Sequence, residues 1–109
     1  MVTVFTDENF EKEVLESSIP VLVDFYSNKC APCKLILSVV DEISCEYEGE
    51  LKVGKVNVEE NRATWAVYGI KALPTVLLFK KGEVAEKVIG AVQKDIFIEK
   101  INLVLESET

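Results

Sequence analysis

The stretch Pro20–Val40, PVLVDFYSNKCAPCKLILSVV, decides how this chain is read. Its first part, PVLVDFY, is a nearly continuous apolar run of strand length, the pattern of a strand covered on both faces. Pro20 is tolerable because it opens the strand. Two features of the stretch require explanation. Asp24 sets a carboxylate inside the apolar run, and Cys30 and Cys33 stand three positions apart between that strand and an apolar helix. A buried Asp24 is costly and has a raised pKa. From the residues alone it is equally a buried polar group satisfied by backbone or water.

The cysteines are more informative. Cys30 falls just before or in the first turn of the following helix, where unpaired N–H groups and a partial positive charge favour thiolate over thiol. Lys29 adds a second positive charge, and Pro32 suits a first turn, where its missing N–H costs nothing. Cys33 lies one turn further on, so the two sulfurs can approach and bond. The spacing supports a reversible dithiol, although a single Cys-x-x-Cys also fits a structural clamp or a metal clip. A clamp closing so small a loop adds little. A zinc site needs four ligands, whereas the chain has three cysteines and no histidine, so metal binding requires a dimer or carboxylate ligands.

Working outward, strand and helix signals alternate. VTVF (2–5) is a short strand candidate. Thr6-Asp7-Glu8 reads as a capped helix start with acids in its first turn, the helix running to about Ser17. Ile36, Val39, Val40, Ile43 and Tyr47 recur at helical spacing over 33–47. LKVGKVNV (51–58) reads as a strand, and Asn61–Tyr68 as a helix stopped by Gly69. The segment 75–90 reads as two strands around Lys80-Lys81-Gly82-Glu83, an antiparallel hairpin, and 94–105 as an amphipathic helix. The order βαβαβαββα predicts an α/β fold, a mixed central sheet with helices on both faces. No repeat or linker interrupts the chain, so residues 1–109 are read as one domain.

Composition narrows the function classes. The formal net charge is −7 and no basic patch stands out, which argues against nucleic acid as a partner. The N-terminal MVTVFTDENFEKEV lacks a basic segment followed by an apolar one, and the longest apolar stretches are too short to span a bilayer. The expectation is a cytoplasmic protein without a membrane partner, where cysteines are more often catalytic or metal-binding than structural.

VLVDFYSNKCAPCK (21–34) resembles the strand and active-site helix of the thioredoxin family, whose usual motif is Trp-Cys-Gly-Pro-Cys. YGIKALPTVLLFKKGE (68–83) resembles the family's segment around a cis-proline, and VIGAVQKD (88–95) the segment whose glycine closes the substrate groove. The resemblance covers essentially the whole chain. It implies the thioredoxin fold, a five-stranded sheet of order 1-3-2-4-5 with four helices, and protein disulfide reduction as the activity. Cys30 matches the attacking cysteine, Cys33 the resolving cysteine, Asp24 the aspartate behind it that moves protons, and Lys55 the lysine beside that aspartate. Pro74 matches the cis-proline packed against the disulfide. Ala31, Pro32, Leu73, Gly90 and Ala91 would frame a flat apolar docking patch, and Lys29 would also contact the substrate. The family implies no tightly bound cofactor, disulfide-bearing proteins as substrates, and a separate thioredoxin reductase as the electron source.

The departures also carry expectations. Lys29 replaces the tryptophan usual before the first cysteine, which predicts a more stable Cys30 thiolate and an altered partner range. Ala31 replaces glycine, at a position that tunes redox potential in the family, and Ala72 stands where glycine is common. Ser38 replaces a helix-kinking proline, which predicts a straighter helix. Trp65, the single tryptophan, reads as core or groove packing, and Cys45, opposite the apolar stripe of its helix, should face solvent. The alternative functions are an interaction or dedicated electron-donor module of narrow partner range, a metal-carrying dimer, and a disulfide-forming oxidase.

Overall fold

The computed structural model describes residues 1–107. Five strands form one sheet in the order β1-β3-β2-β4-β5. They are β1 (Thr3–Val4), β2 (Val21–Tyr26), β3 (Lys52–Asn57), β4 (Thr75–Lys80) and β5 (Glu83–Ile89). β3 runs parallel to both β1 and β2, whereas β4 is antiparallel to β2 and β5 to β4. The helical segments are α1 (Glu11–Leu15), α2 (Ala31–Leu35), α3 (Leu37–Glu46), α4 (Arg62–Tyr68) and α5 (Lys94–Glu106). With α2 and α3 counted as one broken helix, this is the predicted five strands and four helices. No described helix is long and apolar enough to cross a membrane.

Strand alternation divides the interior into two cores. Leu22, Val53, Val76 and Leu78 point to one face, where Ile36, Val40 and Ile43 meet Phe97 and Ile101 of α5. Val21, Val23, Phe25, Leu77 and Phe79 point to the other, where α1 supplies Val14 and the segment after α4 supplies Ile70. On that second face Tyr68 stacks edge-on to Phe79, with ring centroids 5.3 Å apart. The hairpin turns where predicted. Lys81 (φ 53°) and Gly82 (φ 80°) both take positive φ, the mirror-image turn whose twist suits a hairpin.

Two helix expectations are corrected. The helix expected from Thr6 to about Ser17 is a capped turn followed by a five-residue π-helical segment, Glu11–Leu15. Thr6 does cap, since its Oγ1 accepts from the Asn9 N–H at 3.2 Å while its own N–H donates to Asn9 Oδ1 at 2.7 Å. The ladder then widens, with the Glu16 N–H reaching the Glu11 carbonyl five residues back. Asp7, read as an acid serving its own helix, instead caps α4. Its carboxylate accepts from the Thr64 N–H at 2.9 Å and the Thr64 hydroxyl at 2.7 Å, bonds that hold its pKa below the usual value. The second correction concerns Ser38. Despite the missing proline the helix breaks at Ile36, which takes φ −102° and ψ 2°. Its N–H turns to the carbonyl of Cys33, three residues back, and this tightened turn ends one ladder before Val40 starts the next on the Ile36 carbonyl.

Gly54 is a close-approach position within β3. A Cβ there would lie 2.6 Å from the Thr3 carbonyl oxygen and would run into the Phe5 ring. Both neighbours are fixed, one by β1 pairing and the other by full burial. Gly54→Ala is therefore expected to destabilise the fold by about 2–3 kcal/mol through overpacking. Chemical denaturation measures it; a change within about 0.5 kcal/mol, the range of an ordinary surface substitution, would show that Phe5 moves aside freely.

Candidate active site

The C-terminal end of β2 organises the site. Phe25 pairs with Thr75, and Tyr26 with Asn57, so three connections leave the same edge of the sheet. They are the loop Ser27–Cys30, the link from β3 to α4, and the approach Leu73–Pro74 to β4. Cys30 is the N-cap of α2, in extended backbone conformation, and Pro32 sits in the first turn as expected. Cys30 and Cys33 are joined in a disulfide, with Cα atoms 5.3 Å apart. The Cys33 N–H donates to Cys30 Sγ at 3.1 Å, so the helix start directs a donor at that sulfur. The two cysteines differ in access: Cys33 is 2% exposed, whereas Cys30 is half-buried.

Asp24 lies one strand-repeat from Leu22, on the face covered by α2, α3 and α5. It is 1% exposed, and neither carboxylate oxygen has a hydrogen-bond partner among the described residues. Burial drives its pKa from 3.8 up to about 7, a rise that Lys55 partly offsets. Lys55 is the register partner of Asp24 on β3, and its ammonium stands 5.6 Å from the centre of the Tyr26 ring. A cavity of about 210 Å³, lined by Tyr26, Ser27, Asn28, Cys33, Lys34, Leu37 and Lys55, adjoins the buried sulfur. Cys33 and Lys55 thus share one cavity, and Lys55 acts electrostatically on Asp24.

The predicted docking residues fall around this centre. Lys29, Ala31 and Pro32 are exposed beside Cys30. The Leu73–Pro74 peptide bond is cis. Pro74 is buried, and its carbonyl accepts from the Gly90 N–H at 2.8 Å, which draws the two segments together. Gly90 takes φ +96°, a conformation that favours glycine although a Cβ would meet open space. Leu73 packs half-buried on the second core, and Ala91 is exposed. Cys45 is exposed and unbonded, and Trp65 packs on the second core with its Nε1–H donating to the Ile70 carbonyl at 2.7 Å, both in line with the sequence reading. The cavity lining of Tyr26, Lys34 and Leu37 was not anticipated. Lys34 and Leu37 follow Cys33 on the same helix, but the sequence carries no sign of a void there.

The family model for thioredoxin matches residues 1–103. A thioredoxin of Rickettsia conorii is 49% identical over 88% of this chain and 91% of its own length. Thioredoxin 1 of a Nostoc species is 49% identical over 82% of this chain and 83% of its own. A thioredoxin of Pyropia yezoensis is 45% identical over 93% and 94% respectively. The chain belongs to the thioredoxin family. With a disulfide at the position of the family's active site, it is a dithiol–disulfide oxidoreductase and a disulfide reductase.

The environment of Asp24 sets a pH dependence of stability. Its folded-state pKa lies above the unfolded value of 3.8, so the folded chain holds the proton more tightly. Relative stability is full below the unfolded pKa, falls as pH rises through about 7, and stays reduced above it. Asp24→Asn removes the titration. Its stability should gain on the wild type by up to about 4 kcal/mol between about pH 4 and about pH 8, in the oxidised form. Urea unfolding at both pH values checks this, and an unchanged difference between the proteins would mean that Asp24 is not the titrating group.

Proposed function

We propose that this protein reduces disulfides of other proteins with Cys30 as the attacking sulfur and Cys33 as the resolving one. The observation that carries the assignment is the unequal access of the two sulfurs. Cys30 is open to a partner, whereas Cys33 is buried behind it. In the reduced protein the Cys33 N–H and the start of α2 favour a thiolate at Cys30. That thiolate attacks one sulfur of the substrate disulfide. A Cys30–substrate bond forms, the substrate S–S bond breaks, and the departing thiolate takes up a proton. Cys33 then loses its proton to Asp24 and attacks Cys30 Sγ. The mixed disulfide breaks, the second substrate thiolate leaves, and two electrons have passed to the substrate. The product is the Cys30–Cys33 disulfide described here.

Asp24 suits the acceptor role because burial poises its carboxyl near neutrality, where a proton can be taken and returned. Lys55, beside it in the sheet, moderates that shift and lines the cavity at Cys33. Lys29, Ala31, Pro32, Leu73, Pro74, Gly90 and Ala91 form the docking surface, with the backbone before Pro74 pairing with an extended substrate segment. The one-domain chain needs no bound cofactor for this exchange. A separate thioredoxin reductase restores the dithiol, and a cytoplasmic setting suits the reducing direction.

Dithiothreitol-driven reduction of insulin tests the reading. Wild type should be active, and Cys33→Ser should lose at least about a hundredfold in turnover while accumulating a mixed disulfide at Cys30. Trapping of substrate at Cys33 in the corresponding Cys30→Ser protein would reverse the assignment.

A further inference from the structure

A pocket of about 420 Å³ lies between α4 and the segment leading to Pro74, lined by Arg62, Trp65, Ala66, Gly69, Ile70 and Lys71. Its wall is apolar and aromatic, and its two charges are both positive. The Arg62 guanidinium stands 6.0 Å from the centre of the Trp65 ring. Trp65 itself is held by its bond to the Ile70 carbonyl, so the ring is a fixed wall. Among the described residues neither Arg62 nor Lys71 is in an ion pair. Glu59 and Glu60 precede α4 but do not line the pocket. Two unpaired cations around an aromatic wall are a local reversal on a chain of net charge −7.

We infer that this pocket is a specificity subsite for the disulfide-bearing partner, and that it takes acidic side chains flanking the partner's cysteine. The inference rests on the docking reading above. Lys71 stands two residues before Leu73, in a bent segment, so the two lie within the roughly 7 Å that two fully extended residues span. A substrate strand lying along the backbone before Pro74 therefore brings residues about two to four positions from its cysteine to Arg62 and Lys71. Carboxylates at those positions meet the two free cations, and their methylene groups meet Trp65 and Ile70. Lysine at the same positions meets like charge. The pocket's lining includes neither cysteine, so it acts on choice of partner and leaves the sulfur chemistry as it is.

Two disulfide-linked peptides test this, identical except for glutamate or lysine at those flanking positions. Wild type should reduce the glutamate peptide with a kcat/KM about two- to tenfold higher, the range expected of two exposed ion pairs. Arg62→Glu/Lys71→Glu should abolish or invert that ratio. Lys12→Glu/Lys87→Glu, an equal change in net charge at exposed positions outside the pocket, should keep it. If the charge reversal does not fold, Trp65 still reports: as the single tryptophan, its emission should change on titration with the S-alkylated glutamate peptide and not with the lysine peptide. Equal rates for both peptides in a wild type that reduces insulin would overturn the subsite alone. So would a ratio shifted equally by both double variants. Failure of wild type on insulin and both peptides would overturn the docking reading, and the subsite with it.

Discussion

β2 is the element on which the rest of the structure depends. It is hydrogen-bonded along both edges and covered on both faces, so none of its residues can shift without disturbing both cores. One end of it delivers the Ser27–Cys30 loop to the start of α2. The pairing of its last residues with Asn57 and Thr75 brings the link to α4 and the Leu73–Pro74 approach to the same edge. The Ser27–Cys30 loop is short, the following helix is capped by the cysteine itself, and the strand before it is paired on both sides.

That same strand carries the one group that works against the fold. A carboxyl without a hydrogen-bond partner in a sheet interior opposes folding once ionised, by about 4 kcal/mol on the linkage argument, against a net stability of about 5–15 kcal/mol for a domain of this size. An apolar residue would fit Asp24's position with less conflict. Local conflict of this kind, in a strand otherwise consistent at every level, is the pattern expected of a functional residue, and it motivates the role proposed for Asp24. The conflict is tolerable because Val21, Leu22, Val23 and Phe25 of the same strand bury completely on the two cores. In the proposed mechanism it is also useful, since it holds a carboxyl near neutrality on the face of the sheet that α2 covers.

Much of this was legible in the chain. The doubly covered strand, the hairpin with its Lys81-Gly82 turn and the Gly69 stop are local patterns, and each stands where periodicity and turn chemistry placed it, whereas the buried stripe of α5 is centred on Phe97, Ile101 and Val104. The dithiol was readable because two cysteines at helix spacing after a buried strand restrict the chemistry by themselves. What escaped depends on contacts between distant residues. Gly54 looks like any strand glycine until Phe5 of a neighbouring segment lies over it. Asp7 has the sequence context of a local cap, yet its partners are Ala63 and Thr64. The break at Ile36 needs no proline, because a backbone that closes on Cys33 three residues back ends the ladder as effectively. The pocket of Arg62, Trp65 and Lys71 exists only once α4 and the strand approach are folded together.

The central claim is that a buried carboxyl, poised near neutral pH by burial, serves as proton acceptor for Cys33. Its most direct test is the titration of Asp24 itself, followed by the carboxyl carbon resonance of the oxidised wild-type protein across the acid-to-alkaline range. The account predicts a midpoint near the value of about 7 that burial and Lys55 together set. A midpoint close to the ordinary 3.8 would contradict it, showing Asp24 to be solvated and leaving Cys33 without the proton acceptor assigned to it.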